Sequence, residues 1–143
     1  PIFTDKQAEH AADKTPPVCV FEGFMDFLSF LSMKEEITNH CLVMNSVSNV
    51  ARTVRYLNDR HLTHIRAFLD NDDAGRRTVQ EFVRAGFKVE DMSQYYKDFK
   101  DLNEYHVSRV RERQKHKGQI QAHMSITDQN QNKESKQVKL KMK

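Results

Sequence analysis

Three carboxylates stand directly after short apolar runs, where an acid is costly unless something pairs with it. Glu22 follows Val18-Cys19-Val20-Phe21 and precedes Gly23. Asp70 and Asp72 follow the run Ile65 to Leu69 and lead into Asp73-Ala74-Gly75. Brought together, such carboxylates repel one another strongly unless a cation sits among them. Hard oxygen donors that leave room for water suit Mg²⁺, or Mn²⁺ in its place. A site of that kind holds phosphate oxygens and stabilises phosphoryl or nucleotidyl transfer. Gly23 lets the backbone turn sharply and approach a ligand closely. Asp26, four residues past Glu22, either faces the same crevice or favours the N-terminus of the next helix. Arg76, Arg77 and Lys100 flank the acids and can neutralise bound phosphate, although each reads equally as solvated surface. An aspartate after a strand also serves as a helix N-cap, and Asp73 is the expected cap here; Asp70 alone can equally be a capping or turn residue.

The elements that must position these acids alternate. Val18 to Phe21, Cys41 to Met44, Ile65 to Leu69 and Phe87 to Val89 read as short buried strands. Helical spacing marks 24–35, the stretch around Val50, Val54 and Leu57, and the stretch around Val79, Phe82 and Val83, which Gly86 can stop. The Phe and Met positions of 24–33 are expected in the core. A further helix carries Tyr105, Val107 and Val110. This alternation predicts right-handed βαβ units, hence an α/β fold with a four-stranded parallel sheet and helices on both faces. In the order 2-1-3-4, strands one and three are neighbours, about 4.8 Å apart. Their carboxyl ends then meet in one crevice, where open parallel sheets bind ligands.

Two other patterns fail. Asp70, Asp72, Gly75 and Glu81 match positions 1, 3, 6 and 12 of a calcium loop, but Ala74 stands at position 5 and a strand precedes it. A phosphatase with a phosphorylated aspartate should carry its Asp-x-Asp after the first strand, where Glu22-Gly23 stands. His61 and His64 have no nitrogen or sulfur partners at ligand spacing and read as surface.

With 143 residues the chain has room for one domain. Its 38% hydrophobic and 30% charged composition allows a core only where the apolar residues concentrate, from Val18 to Phe87. No run is long enough to cross a bilayer. Two cysteines, Cys19 and Cys41, are too few for a disulfide scaffold and fit a reducing, cytoplasmic setting. The net charge of +3 hides a split: Arg109 to Lys143 holds ten basic and three acidic residues, +7, and the rest is −4. Three segments are expected: a polar lead 1–17, a domain 18–117, and a basic tail 118–143 that is disordered or a loosely held helix. The tail suits a polyanionic partner or simply keeps the chain soluble. The start at Pro1 suggests a processed product or a piece of a longer protein.

These residues carry a family resemblance. Val20-Phe21-Glu22-Gly23-Phe24-Met25-Asp26 resembles the first signature of Toprim domains, in the version found in bacterial replicative-type DNA primases. Phe68 to Arg76 resembles the second, Asp-x-Asp followed by Ala-Gly-Arg, with Gly75 in its place. Lys100-Asp101-Leu102-Asn103-Glu104 is similar to the third acidic element. The loop Asn45 to Asn49 resembles that of primase-like proteins of mobile elements. The resemblance covers about 18–108. It implies a compact, Rossmann-like Toprim fold that binds Mg²⁺ or Mn²⁺ through Glu22, Asp70 and Asp72, with Asp101 assisting. It implies nucleotidyl transfer from nucleoside triphosphates on a single-stranded DNA template, with a helicase or the rest of a larger primase chain as partner and no membrane. The zinc module and the basic template-gripping subdomain of such primases are missing. The chain is therefore expected to bind metal by itself but to make no primers by itself. The alternatives are a Toprim nuclease or other DNA-processing enzyme, and a non-catalytic docking or DNA-binding module.

Overall fold

The computed structural model describes residues 15–142. The expected lead 1–17 therefore lies mostly outside the described residues; Thr15 to Pro17 run without regular structure into the first strand. Four strands form one parallel sheet: β1 (Val18–Phe21), β2 (Cys41–Val43), β3 (His64–Phe68) and β4 (Lys88–Asp91), in the order β2-β1-β3-β4. Helices α1 (Phe24–Met33), α2 (Val50–Asp59) and α3 (Asp73–Arg84) connect them, and α4 (Leu102–Lys141) follows. Short 3-10 turns occupy Val47–Asn49 and Met92–Tyr96. The expected α/β fold with β1 beside β3 is what the chain adopts.

Strand β1 is buried along its whole length and divides the core in two. Val18 and Val20 face Leu57 of α2 and Phe82 of α3, together with Ile65, Ala67 and Phe87. Cys19 and Phe21 face Phe30 of α1, Phe68, Tyr96 and Leu102. Phe21 stacks on Phe68 at 4.8 Å between ring centroids and meets Phe30 at 5.1 Å. Each such fully buried side chain contributes about 1.5–3 kcal/mol of transfer free energy. The alternation of a strand thus anchors helices on both faces, as the period of two requires.

Several local expectations change. β2 is half-buried rather than buried, because it is the edge of the sheet. α1 ends at Met33, two residues early. Its inward face is also rotated: Phe24 and Met25 are 54% and 56% exposed, while Asp26 and Ser29 are buried beside Phe30. Polar side chains take inward positions there because they bond to the start of α4, as shown below. β4 starts one residue later and ends two residues later than expected. His64 is not a plain surface residue: its Nε2 lies 3.2 Å from Glu90 Oε2, which also accepts from Arg66 Nε at 2.8 Å. Cys19 and Cys41 are both free thiols.

The chain divides into two compact units, Pro1–His106 and Val107–Lys143. The second is helical to Lys141, with every side chain from 111 to 142 exposed. The absence of apolar periodicity leaves it nothing to bury, but Gln, Lys, Arg and Glu are good helix formers and no proline interrupts them. No helix among the described residues is long and apolar enough to cross a membrane.

A candidate carboxylate site at the carboxyl edge of the sheet

Because β1 and β3 are parallel neighbours with Phe21 opposite Phe68, their next residues emerge side by side. The Glu22 N–H continues the ladder to the Phe68 carbonyl at 3.2 Å. The Glu22 side chain then turns across: its Oε2 accepts from the Asp70 N–H at 2.9 Å. This bond joins the first two acidic elements directly. The third arrives through a different device. Asn71, between the two aspartates, donates its amide to the carbonyls of Tyr96 at 3.0 Å and Phe99 at 2.9 Å, with Ser93 at 3.3 Å. Its backbone N–H bonds the Lys100 carbonyl at 2.7 Å. The loop that ends in Asp101 is therefore fastened to the end of β3. Tyr96 adds a buried hydroxyl bond to the Leu69 carbonyl at 2.7 Å.

Most of the acids spend one oxygen on a backbone donor. Asp72 caps α3, accepting from the Gly75 N–H at 2.7 Å. Asp101 caps α4, accepting from the Glu104 N–H at 2.8 Å, and Glu104 Oε2 reaches back to the Lys100 N–H at 2.9 Å. Asp26 Oδ1 accepts from the Asn103 N–H at 3.1 Å, and Ser29 Oγ lies 3.1 Å from Asn103 Oδ1. These bonds fix where each carboxylate sits, and the Gly23 backbone also bonds the Asp26 carboxyl. Asp70 differs. Its carboxyl has no hydrogen-bond partner among the described residues, and burial together with Glu22, Asp26, Asp101 and Asp72 pushes its pKa up to about 7. Burial likewise pushes Asp26 up to about 6, against the lowering effect of the Asn103 N–H. Burial first, and then Asp26, Asp91, Asp70 and Asp101, also raise Tyr96.

Gly75 sets the spacing of the turn. A Cβ built there would collide with the backbone carbonyl of Asp70 and crowd its nitrogen at 3.3 Å. Only glycine lets α3 start this close to the end of β3. At Gly23 a Cβ would lie 3.3 Å from Asp26 Oδ2, a tighter approach than side chains usually make.

The structure thus gathers Glu22, Asp26, Asp70, Asp72 and Asp101 into one electrostatic neighbourhood. Among the described residues, no three acidic, histidine or cysteine side chains are close enough to hold a metal ion as they stand. Like charges without a counter-ion separate, and the N–H bonds above turn several oxygens toward the backbone. The donor set still fits a hard divalent cation: it is all carboxylate, and the side chain of its central member, Asp70, has no hydrogen-bond partner among the described residues. The basic residues take no part in these bonds through their side chains. Arg76 pairs with Asp73 at 2.8 Å on the surface, where such a bridge adds little. Arg77 and Lys100 are exposed. Asp73, the expected cap, is the first helical residue, and Asp72 holds the cap position instead. Asn71, Ser29 and Asn103 are not singled out by the sequence; Asn71 and Asn103 lie inside the second and third motifs, and Ser29 lies outside all three.

The description "Toprim-like" fits residues 19–106, well over half of the chain and the stretch that contains every one of these acids. No curated protein and no solved structure matches the chain.

Proposed function

The chain belongs to the Toprim-like family of metal-dependent nucleic-acid-processing domains, and on that premise we propose that it is the catalytic Toprim portion of a DNA primase-like nucleotidyltransferase. The observation that supports this most directly is the Glu22 to Asp70 bond at 2.9 Å, which brings acids 48 residues apart to one point. In this reading Mg²⁺ or Mn²⁺ is held by Glu22, Asp70 and Asp72, with Asp101 assisting from the fastened loop. The bound cation would supply charge neutralisation for triphosphate oxygens. The protein's own part is positioning: Asp72 and Asp101 are fixed by helix caps, Glu22 by the Asp70 N–H, and Asp26 by Asn103. The template is single-stranded DNA, and the remainder of a larger primase chain or a helicase supplies the missing grip. The primase-like Met25-Asp26 and Ala74-Gly75-Arg76 matches favour this over other Toprim activities.

The test begins with Mn²⁺ titration of the wild type and Asp70→Asn. Saturable binding that weakens at least about tenfold in the variant is expected, the loss of one charged ligand. Equal binding by both would remove the metal-site reading and leave a docking module. Metal-dependent nicking of plasmid DNA by the chain alone would favour a nuclease. Primer synthesis on single-stranded DNA, absent alone and restored when a zinc module and a basic subdomain are supplied, would support the primase reading.

A further inference from the structure

We propose that the groove between edge strand β2 and helix α2 is a track for single-stranded nucleic acid leading toward the carboxylate crevice. The proposal rests on the reading of that crevice as a nucleotidyl-transfer site. The groove encloses about 500 Å³, and no aspartate or glutamate among the described residues lines it. Arg52 and Tyr56 of α2 and Arg60, the residue that caps its C-terminus, line it at four-residue spacing, which sets two cations on either side of an aromatic ring. Tyr56 is 45% exposed, and the Arg60 guanidinium lies over its ring at 3.6 Å from the centroid. Stacked aromatic and guanidinium planes are the surfaces on which unpaired bases settle, whatever their sequence.

The geometry favours a strand over a single nucleotide. Arg52 and Arg60 are eight residues apart, about 12 Å along a helix. That is too far for one phosphate and suits successive phosphates of a chain. The opposite wall is β2, whose outer edge pairs with no strand among the described residues. The direction also follows from the sheet. Val43 is opposite Phe21, and the Met44 N–H bonds the Phe21 carbonyl at 2.9 Å. The groove's Met44-Asn45 end therefore opens one strand away from Glu22. Asn49, whose amide holds the Met44 carbonyl at 2.8 Å, fixes the loop there. This gives a role to the polar loop Asn45 to Asn49, which the carboxylate site does not use.

The experiment is fluorescence anisotropy with a labelled oligothymidylate of about 12 nucleotides, within the usual site sizes for unpaired strands. EDTA is present, so that the carboxylates are not read. Arg52→Ala/Arg60→Ala is compared with Lys139→Ala/Lys141→Ala, which removes the same charge from the terminal helix. The first variant should bind about tenfold more weakly, with the slope of log K against log salt reduced by about 1.4, the value for two lost phosphate contacts. The second should stay within about twofold of wild type. Equal losses in both variants, or none in the first, would overturn the track. So would displacement of the probe by a nucleoside triphosphate as effectively as by unlabelled oligonucleotide, which would mark a mononucleotide pocket. Both arginines are exposed; should the double variant melt early, Arg52→Gln alone carries the test with about half the change in slope. Asp70→Asn should keep oligothymidylate binding under EDTA, and Arg52→Ala/Arg60→Ala should keep Mn²⁺ binding, so failure of the track and failure of the metal site are told apart.

Discussion

Replacing Asp70 by asparagine should make the metal-free protein more stable at pH 8, although it changes the centre of the site. The Asp70 carboxyl accepts no hydrogen bond among the described residues, so the isosteric amide loses none. What it removes is a charge that burial and four neighbouring carboxylates disfavour, with a folded pKa of about 7 against an ordinary 3.8. The sign follows by linkage: a raised folded pKa contributes stability that is complete below the unfolded value and is lost as pH rises through the folded one. The window is therefore about pH 4 to pH 7, and the wild type bears the full penalty above it. One pKa unit corresponds to about 1.4 kcal/mol, so the undiscounted figure is about 4 kcal/mol. Asp70 is only half-buried, and solvent and salt screen its neighbours. A gain of about 1–2 kcal/mol at pH 8 remains. Urea unfolding in EDTA reads it as a midpoint raised by about 0.5–1 M, for a slope of about 2 kcal/mol/M. At pH 4 the two proteins should coincide. The variant should retain a shallower decline up to about pH 6, the folded pKa of Asp26, the other buried acid. A variant less stable than wild type at pH 8, or with an unchanged pH profile, would refute the account of the cluster as a charge-repulsion site.

Other substitutions test the framework that holds the acids. Gly75→Ala forces a methyl into the Asp70 backbone, and should cost about 1–3 kcal/mol despite the better helix propensity of alanine; an unchanged thermal midpoint would contradict the close approach. Asn71→Ala unties the Tyr96 and Phe99 carbonyls and should cost about 2–4 kcal/mol, with faster hydrogen exchange across 93–100 than across α3; uniform exchange would show that the tie is not local.

How much of this was legible in the sequence depended on the kind of signal. The apolar residues of Val18 to Phe21, and of Ile65 to Leu69 apart from Arg66, named the central strands, because strands covered on both faces are mostly apolar; Arg66 is accommodated by its bond to Glu90. Crossover handedness leaves the strand order open; the order 2-1-3-4 is the condition under which the acids converge, and the structure meets it, with Glu22 beside Asp70. The inward face of α1 was not legible. Phe24, Met25 and Leu28 look like core by type, yet Asp26 and Ser29 displace them because Asn103 offers partners only a tertiary contact can supply. The cap of α3 was misplaced by one residue for a related reason: Asp72 and Asp73 are chemically identical, and only backbone direction decides which oxygen meets the Gly75 N–H. Asn71 was invisible because its three acceptors lie 22 to 28 residues downstream.

The contact between Gly75 and the Asp70 backbone has a mechanical result. The turn between them cannot widen without carrying α3 along, and α3 is anchored by Phe82, which is fully buried and meets Phe87 edge-on at 5.9 Å. An ion seated on Asp70 and Asp72 would press on a stiff seam rather than a yielding loop. Any adjustment to such an ion's radius would then fall to the two side chains, which can rotate while the backbone that carries them keeps its place.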